Sequence, residues 1–193
     1  PFYDSLPDYI KAVNEYSKLG LLVFKFHAWG LIKEDSKLIN IIQKEFAETR
    51  YRFMLDLEGE YSFDEALKLG QIMDENLFIW LEAPIDERLL EQYRDLRSRV
   101  KIPITADGFN MYSPDFIKQG IEMGSWDAGR FDATTIGGIS KALELLIISN
   151  DANLPIEIQS WGHSLAQAAN LHLIFANKRT RYFEIPMPKE AYE

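Results

Sequence analysis

The chain lacks cysteine entirely, and histidine is scarce. None of the 193 residues is a cysteine, and three are histidines: His27, His163 and His172. The absence of cysteine excludes disulfide bonds, thiolate metal sites and cysteine nucleophiles, because each of them needs a thiol. The absence of cysteine does not identify the cellular compartment of the protein.

Long apolar runs and basic clusters are also missing. No apolar run approaches the roughly 20 residues that a membrane-spanning helix needs, and residues 1–8 lack the basic and apolar regions of a signal peptide. The net charge is −9, with lysine and arginine scattered along the chain, which argues against a nucleic-acid surface. We therefore expect a soluble cytoplasmic protein that binds neither nucleic acid nor membrane.

The composition is that of a globular protein. Hydrophobic residues make up 47% and charged residues 26% of the chain, and no low-complexity segment or linker interrupts it. This length is enough for one large domain with a substantial core. We predict a single domain over residues 1–193.

Polar residues recur where short apolar runs end, at intervals of 25 to 29 residues. They are His27, Asp56, Glu82, Asp107, Asp132, Gln159 and Glu184. The interval is about the length of one strand plus one helix, so the pattern predicts parallel strands joined by right-handed helical crossovers. The predicted strands are 21–26, 52–56, 77–82, 102–106, 126–132, 156–159 and 181–185. The predicted helices are 8–18, 36–48, 63–74, 86–98, 113–123, 138–149 and 164–176, with Ser62 and Ser113 as N-caps.

A closed barrel and an open doubly wound sheet both alternate strands with helices. An open sheet gathers its functional groups near one switch point, whereas a (β/α) barrel carries its chemistry at the C-terminal ends of its strands. Seven polar strand ends in succession favour closure. We predict a modified (β/α)7β TIM-type barrel in which residues 1–4 are the stub of a first strand and residues 181–185 form the eighth.

Strand alternation predicts which side chains share a face of the sheet. Lys25 and His27 have the same phase, so a cationic and a basic group would lie side by side. Phe78, Trp80 and Glu82 are likewise expected on one face.

Three successive strand ends carry carboxylates: Asp56, Glu82 and Asp107. Converging carboxylates suit a hard divalent cation, which prefers oxygen ligands. Glu58 has the phase of Asp56 and is expected on the same face.

The three histidines have different expected roles. His27 shares a phase with Lys25 at a strand end, so we favour a functional role for it. His163 lies in a loop, where capping of the next helix and catalysis both stay open. His172 lies within a predicted helix, where we expect structural packing.

Several short motifs follow one another along the chain. They are Lys25-Phe26-His27, Asp56-Leu57-Glu58, Glu82-Ala83-Pro84, Ala106-Asp107, Asp132 followed by Ile136-Gly137-Gly138-Ile139, and Glu184. In this order and spacing they resemble the barrel of the enolase superfamily, in its mandelate racemase and muconate lactonizing enzyme branch, over essentially all 193 residues. Members of that family abstract the proton α to a carboxylate and stabilise the resulting enediolate with Mg²⁺.

The resemblance implies roles for individual residues. Asp56, Glu82 and Asp107 would be the Mg²⁺ ligands, and Lys25 would be the electrostatic partner of the substrate carboxylate. His27 falls where many relatives have the second lysine of a Lys-x-Lys pair, and would be the base on one face of the α-carbon.

Further positions both match and depart from the family pattern. Glu184 matches an acid that hydrogen-bonds the developing enediolate oxygen, which it can do only while protonated. Asp132 matches the aspartate that orients a histidine at the end of the next strand. Gln159 stands at that position, and glutamine cannot act as a general base. His163 is the nearby substitute. Glu58 replaces the usual asparagine and adds negative charge where an anionic substrate would bind, so Glu58 and Gln159 are expected to line the substrate.

These departures favour one reaction over another. A racemase needs a base on each face of the α-carbon, and His27 supplies one. A dehydratase needs one base and an acid that expels the β-hydroxyl; that acid is left open between His27 itself, His163 and a water molecule on the metal. We favour Mg²⁺-dependent elimination of water from a sugar acid. The alternatives are a racemase, epimerase or cycloisomerase of the same superfamily, and a non-catalytic or truncated barrel that only binds metal.

The resemblance also implies which domains, partner and oligomeric form the full-length protein has. Relatives carry an N-terminal capping domain that these residues do not include, so we expect the catalytic barrel of a longer protein. The isolated barrel would be inactive if water reached its site. A small-molecule carboxylate is the expected partner, and a homo-oligomer is the expected full-length form.

Overall fold

The computed structural model describes residues 3–160 and 162–188, which fold into alternating helices and strands. In chain order these are α1 (Leu6–Ser17), β1 (Val23–His27), α2 (Ile32–Phe46), β2 (Arg52–Asp56), α3 (Phe63–Ile72), β3 (Phe78–Glu82), α4 (Leu90–Arg97), β4 (Ile104–Thr105), α5 (Pro114–Met123), β5 (Gly129–Phe131), α6 (Ile139–Asp151), β6 (Ile156–Ile158) and α7 (Ser164–Ala176). The strand pairs β1–β2, β2–β3 and β5–β6 are parallel. The predicted α/β fold with a parallel sheet is therefore confirmed. No helix in this part of the chain has the length and apolar composition needed to cross a membrane.

The chain divides into two compact units. The first consists of the residues up to Asp86 together with Asp95–Ile104, and it contains β1, β2 and β3. The second consists of Glu87–Arg94 together with the residues from Thr105 onward, and it contains β5 and β6.

The register of the first unit's sheet aligns the ends of three strands. His27 pairs with Asp56 across β1 and β2, and Asp56 pairs with Glu82 across β2 and β3. Because parallel strands share a direction, these three side chains lie at one edge of the sheet.

The core of this unit is aromatic. The Phe53 ring is fully buried, and its centroid lies 5.9 Å from Phe24, 6.1 Å from Phe26 and 5.3 Å from Phe46. Phe24 and Phe26 are buried while Lys25 and His27, on the other face of β1, are half-buried. The predicted phase of Lys25 and His27 is confirmed.

The predicted phase of Phe78 is wrong. A register shift places Phe78 opposite Phe53 but Trp80 opposite Met54, so β3 has one extra residue relative to β2. A bulge of one residue moves the preceding side chains to the other face of the sheet. Phe78 therefore packs on Phe53, with ring centroids 6.0 Å apart. Of the three residues, only Trp80 and Glu82 lie on the face of the sheet that carries Lys25 and His27.

The predicted strand at 181–185 is also wrong, because these residues are not in a strand. Side chains rather than a backbone ladder hold this segment. The Arg181 N–H donates to Glu157 Oε2 at 2.9 Å, and Thr180 Oγ1 donates to the Ile156 carbonyl at 2.6 Å.

The predicted helices are present with shifted ends. Helix α2 begins four residues earlier than predicted, with Asp35 inside its first turn, and α4 begins at Leu90 rather than at residue 86. Both predicted N-caps are confirmed: Ser62 forms a capping box with Glu65, and Ser113 accepts from the Phe116 N–H.

Candidate active site

The first unit gathers five of the predicted site residues at the C-terminal edge of its sheet. They are Lys25, His27, Asp56, Glu58 and Glu82. The parallel register of β1, β2 and β3 brings them together. His27, Asp56 and Glu82 end their strands, whereas Lys25 lies two residues before the end of β1 and Glu58 two residues beyond the end of β2.

Lys25 joins the two strand-end carboxylates. Its Nζ lies 3.1 Å from Asp56 Oδ2 and 3.0 Å from Glu82 Oε1. The Glu82 side chain is fully buried and that of Asp56 is 9% exposed. Buried carboxylates need such compensation, because an unpaired charge in the interior is costly. Trp80 Nε1 donates to Glu82 Oε2 at 3.0 Å and so fixes the second oxygen of this carboxylate.

His27 stands between two carboxylates. Its Nε2 lies 3.4 Å from Asp56 Oδ2, and its Nδ1 lies 3.7 Å from Glu58 Oε1. The imidazole is 29% exposed, so solvent or a small molecule can reach it. Both ring nitrogens of His27 therefore face a carboxylate oxygen.

A tight turn after β2 explains the position of Glu58. The Glu58 N–H donates to Asp56 Oδ1 at 3.1 Å, and Glu58 has a left-handed backbone with φ of 53°. The turn returns the Glu58 side chain toward His27. It also engages Oδ1 of Asp56, leaving Oδ2 to face Lys25 and His27.

Buried polar groups hold the backbone around His27. The Tyr9 hydroxyl donates to the His27 carbonyl at 3.3 Å. Asp35 accepts from the N–H groups of Trp29 and Leu31, both at 2.9 Å, and from the Tyr61 hydroxyl. Burial raises the pKa of Tyr9 to about 12, and burial together with Asp35 raises the pKa of Tyr61. Sequence reasoning missed Tyr9, Asp35 and Tyr61. The one available signal was the acidic side chain of Asp35 in the first turn of α2.

In the second unit, Asp107 lies in the loop after β4, where buried side chains bind the backbone. Gln159 Nε2 donates to the Asp107 carbonyl oxygen. Glu87 accepts from the N–H groups of Gly108 at 2.7 Å and Asn110 at 2.8 Å, and from Asn110 Nδ2 at 3.0 Å. The amide nitrogen of Gln159, predicted to line the substrate, is thus directed at the backbone beside Asp107.

Glu87 is a further residue that sequence reasoning missed. It is 4% exposed, and burial raises the pKa of its carboxyl although the hydrogen bonds from Asn110 and Gly108 partly offset this. No pattern in the sequence indicated that Glu87 is buried, because an acidic residue in a predicted helix is ordinarily exposed.

Among the described residues, no hydrogen bond joins Asp132 to His163. Asp132 is buried and its Oδ1 accepts from both the N–H and the hydroxyl of Thr134, at 2.6 Å each. His163 is exposed at the N-cap position of α7 without a capping side-chain bond. Across residues 3–160 and 162–188 no ion pair joins the two. His172, expected to pack, is exposed on α7.

Glu184 pairs with a buried arginine. Its Oε1 accepts from Arg130 Nη2 at 2.5 Å, and its Oε2 accepts from the Ser160 N–H at 3.2 Å. Arg130 is 1% exposed. A guanidinium at this distance stabilises an ionised carboxylate, whereas the family pattern expects an uncharged donor at Glu184.

Two carboxylates at the edge of the first unit's sheet are candidate metal ligands. Asp56 and Glu82 supply carboxylate oxygens, the ligands of a hard cation. Within the described part of the chain no group of three or more histidine, aspartate or glutamate side chains is arranged to hold a metal ion. A cation at Asp56 and Glu82 would compete with the Lys25 ammonium for the same oxygens.

A protein-family model matches the sequence of the chain. The model of the enolase C-terminal domain-like family matches residues 8–191, nearly the whole chain. The resemblance read from the strand-end motifs is thereby confirmed.

Curated relatives are distant and much longer. A D-gluconate/D-galactonate dehydratase from Picrophilus torridus is 25% identical over 150 residues, which cover 73% of this chain and 38% of the relative. A D-galactarolactone cycloisomerase from Agrobacterium fabrum is 24% identical over 156 residues, which cover 78% of this chain and 41% of the relative. The chain thus spans about two fifths of the length of these relatives.

Solved structures have the same fold. A crystal structure from Pseudovibrio sp., described as a mandelate racemase/muconate lactonizing enzyme, has a TM-score of 0.95 and 29% identity over 100% of this chain and 52% of its own. An enolase from Bradyrhizobium, complexed with magnesium and mandelic acid, has a TM-score of 0.79 and 22% identity over 95% of this chain and 49% of its own.

Proposed function

Since the chain belongs to the enolase C-terminal domain-like family, we propose that it is the catalytic barrel of a longer Mg²⁺-dependent enzyme. In this proposal the parallel strands belong to a TIM-type (β/α) barrel. The enzyme removes the proton α to the carboxylate of a sugar acid and eliminates water. The single observation that supports it most directly is the position of His27. Its Nε2 lies 3.4 Å from Asp56 Oδ2, at the edge of the sheet where Lys25 contacts the Asp56 and Glu82 carboxylates.

Mg²⁺ is the proposed cofactor, with Asp56, Glu82 and Asp107 as its ligands. The oxygen donors of Asp56 and Glu82 fit a hard cation. When bound, the ion supplies stabilisation of the negative charge that develops on the substrate oxygens. Asp107 is assigned by the family pattern.

His27 is the proposed base. A ring nitrogen of His27 accepts the proton from the α-carbon, and the pair of electrons left behind forms the enediolate. Asp56 and Glu58 stabilise the resulting imidazolium, because a carboxylate lies near each ring nitrogen. Lys25 attracts the substrate carboxylate toward the same edge, because opposite charges attract.

Elimination is the proposed reaction because only one face of the substrate's α-carbon, the face toward His27, has a base. Asp132 is engaged by Thr134, and the Gln159 amide nitrogen by the backbone beside Asp107, so neither supports a second base. The C–O bond to the β-hydroxyl breaks as the enediolate collapses. The leaving oxygen takes a proton from the His27 imidazolium or from His163, and departs as water. The family role of Glu184 as a protonated donor is the least supported, because Arg130 pairs with it.

A cycloisomerase of the same superfamily is the second candidate. It also needs one base on one face, and one distant relative is a D-galactarolactone cycloisomerase. A racemase or epimerase is disfavoured because it needs two bases. A small-molecule sugar acid is the proposed partner in either case, and a homo-oligomer is the proposed form of the full-length protein.

Solvent exchange tests the base. The intact protein with Mg²⁺ in deuterium oxide is expected to exchange the α-hydrogen of a bound sugar acid, with D-gluconate and D-galactonate as first probes. We expect His27→Ala to abolish exchange, Gln159→Ala to leave it measurable, and the exposed-histidine control His172→Ala to leave it unchanged. Equal loss in His27→Ala and Gln159→Ala at a saturating Mg²⁺ concentration would remove the one-base assignment. Formation of a 2-keto-3-deoxy acid separates the dehydratase from the cycloisomerase.

A further inference from the structure

One peptide group in the loop after β4 is hydrogen-bonded at both ends. This is the peptide that joins Asp107 to Gly108. Its carbonyl oxygen accepts from Gln159 Nε2, and its N–H donates to Glu87 Oε1 at 2.7 Å. Fixing both ends of a peptide plane fixes the backbone dihedral angles on either side of it. The direction of the Asp107 side chain is set by one of those angles.

Both partners of this peptide are buried and anchored. Glu87 is 4% and Gln159 is 7% exposed. The Gln159 N–H donates to the Phe131 carbonyl at 2.9 Å, and the second Glu87 oxygen accepts from Asn110. A buried carboxylate is costly unless hydrogen-bonded, so Glu87 and the loop stabilise each other.

The loop has little freedom to adjust its position. Gly108 has a left-handed backbone with φ of +110°, and a Cβ there would lie 2.6 Å from the Arg130 carbonyl oxygen. The backbone after Asp107 therefore passes closely along β5.

We propose that Glu87 and Gln159 are positioning residues that set the orientation of the Asp107 carboxylate for Mg²⁺. This inference rests on the proposed function, in which Asp107 is a ligand. Gln159 stands where the family pattern has a histidine, and its role here is to hold the backbone of a ligand instead of moving a proton. Groups that orient metal ligands commonly change metal affinity by about 10- to 100-fold when they are replaced.

Isothermal titration with Mg²⁺ alone, on the intact protein, tests this role. We expect Glu87→Gln and Gln159→Leu to weaken Mg²⁺ binding by about 10- to 100-fold. Glu91→Gln is the matched control, since Glu91 is exposed on α4 and its replacement removes the same charge. It should bind Mg²⁺ as the wild type does. Asp107→Asn gives the effect of losing the ligand itself.

A second readout separates positioning from stability. Amide hydrogen exchange at Gly108 and Asn110 should accelerate in Glu87→Gln, and kcat should recover at high Mg²⁺ concentration in both positioning variants. A merely structural role would lower the thermal midpoint while leaving the Mg²⁺ dissociation constant of the folded protein unchanged, and would overturn the inference. If Glu87→Gln fails to fold, Gln159→Leu decides the question, because Glu87 and its hydrogen bonds stay in place.

The titrations also distinguish the two levels of the proposal. If Asp107→Asn weakens Mg²⁺ binding while Glu87→Gln and Gln159→Leu do not, the positioning role is wrong and the metal site stands. If the wild type binds no Mg²⁺, the metal site fails and the positioning role fails with it.

Discussion

Lys25 on β1 reaches across β2 to Glu82 on β3, with its Nζ 3.0 Å from Glu82 Oε1. The same ammonium lies 3.1 Å from Asp56 Oδ2. A cation that binds these carboxylates uses the oxygens that Lys25 contacts. Lys25 is therefore a competitor for the proposed ligands as well as the proposed partner of the substrate carboxylate.

Lys25→Met should separate these two roles. We expect Mg²⁺ binding to be unchanged or up to about tenfold tighter, because a competing charge is removed, while dehydration activity is lost with the substrate's electrostatic partner. Asp56→Asn should instead weaken Mg²⁺ binding. Isothermal titration and steady-state kinetics measure the two effects, with the exposed Lys33→Met as control. Equal weakening of Mg²⁺ binding in Lys25→Met and Asp56→Asn would contradict the competitor role.

Replacement of Glu58 should lower both kcat and KM. The Glu58 carboxylate lies 3.7 Å from His27 Nδ1 and adds negative charge where the proposed anionic substrate would bind. Glu58→Gln should lower kcat by roughly tenfold, within the range of an acid–base contribution, because the imidazolium loses a stabilising charge. KM should fall as well, since a repulsive charge is removed. Steady-state kinetics against the exposed control Glu60→Gln decides this; a higher KM would show that Glu58 binds substrate directly.

Burial of two tyrosines predicts loss of stability at alkaline pH. Burial raises the pKa of Tyr9 from 10.0 to about 12, so the folded state holds a proton that the unfolded state has released in this range. The stabilisation is fully present below pH 10 and is lost as the pH rises through about 12. Burial and Asp35 raise the pKa of Tyr61 in the same direction.

Tyr9→Phe should flatten this alkaline loss. At neutral pH it should cost about 1 kcal/mol, because it removes the hydrogen bond to the His27 carbonyl. Urea unfolding at several pH values measures both effects, with the exposed Tyr112→Phe as a control that changes neither. An unchanged alkaline slope in Tyr9→Phe would show that Tyr9 does not titrate with unfolding.

The strand ends could be predicted from the sequence because two periodicities determine them. Alternation within a strand put Lys25 and His27 on one face, and the strand–helix interval put Asp56 and Glu82 at one edge. These contacts repeat with the secondary structure, so a pattern in the sequence reports them. The extra residue in β3 does not follow the period, and Phe78 was misassigned for that reason.

The supporting residues could not be predicted, because side chains bind the backbone of distant loops. Glu87 reaches Gly108, 21 residues away, and Gln159 reaches Asp107, 52 residues away. No periodicity relates such pairs. The same kind of contact, from Arg181 to Glu157, replaced the predicted eighth strand.

Gly108→Ala tests how closely the Asp107 loop depends on its path along β5. Its φ of +110° disfavours a side chain, which costs about 1–3 kcal/mol, and a Cβ would also lie 2.6 Å from the Arg130 carbonyl oxygen. Gly137→Ala is the matched control, because Gly137 has φ of +97° with nothing within 4 Å of a Cβ. Thermal unfolding should show destabilisation in both variants and a larger one in Gly108→Ala. Mg²⁺ titration should show weaker binding in Gly108→Ala alone, since only there must the backbone beside Asp107 move; equal Mg²⁺ affinities would mean that the loop relaxes without turning the ligand.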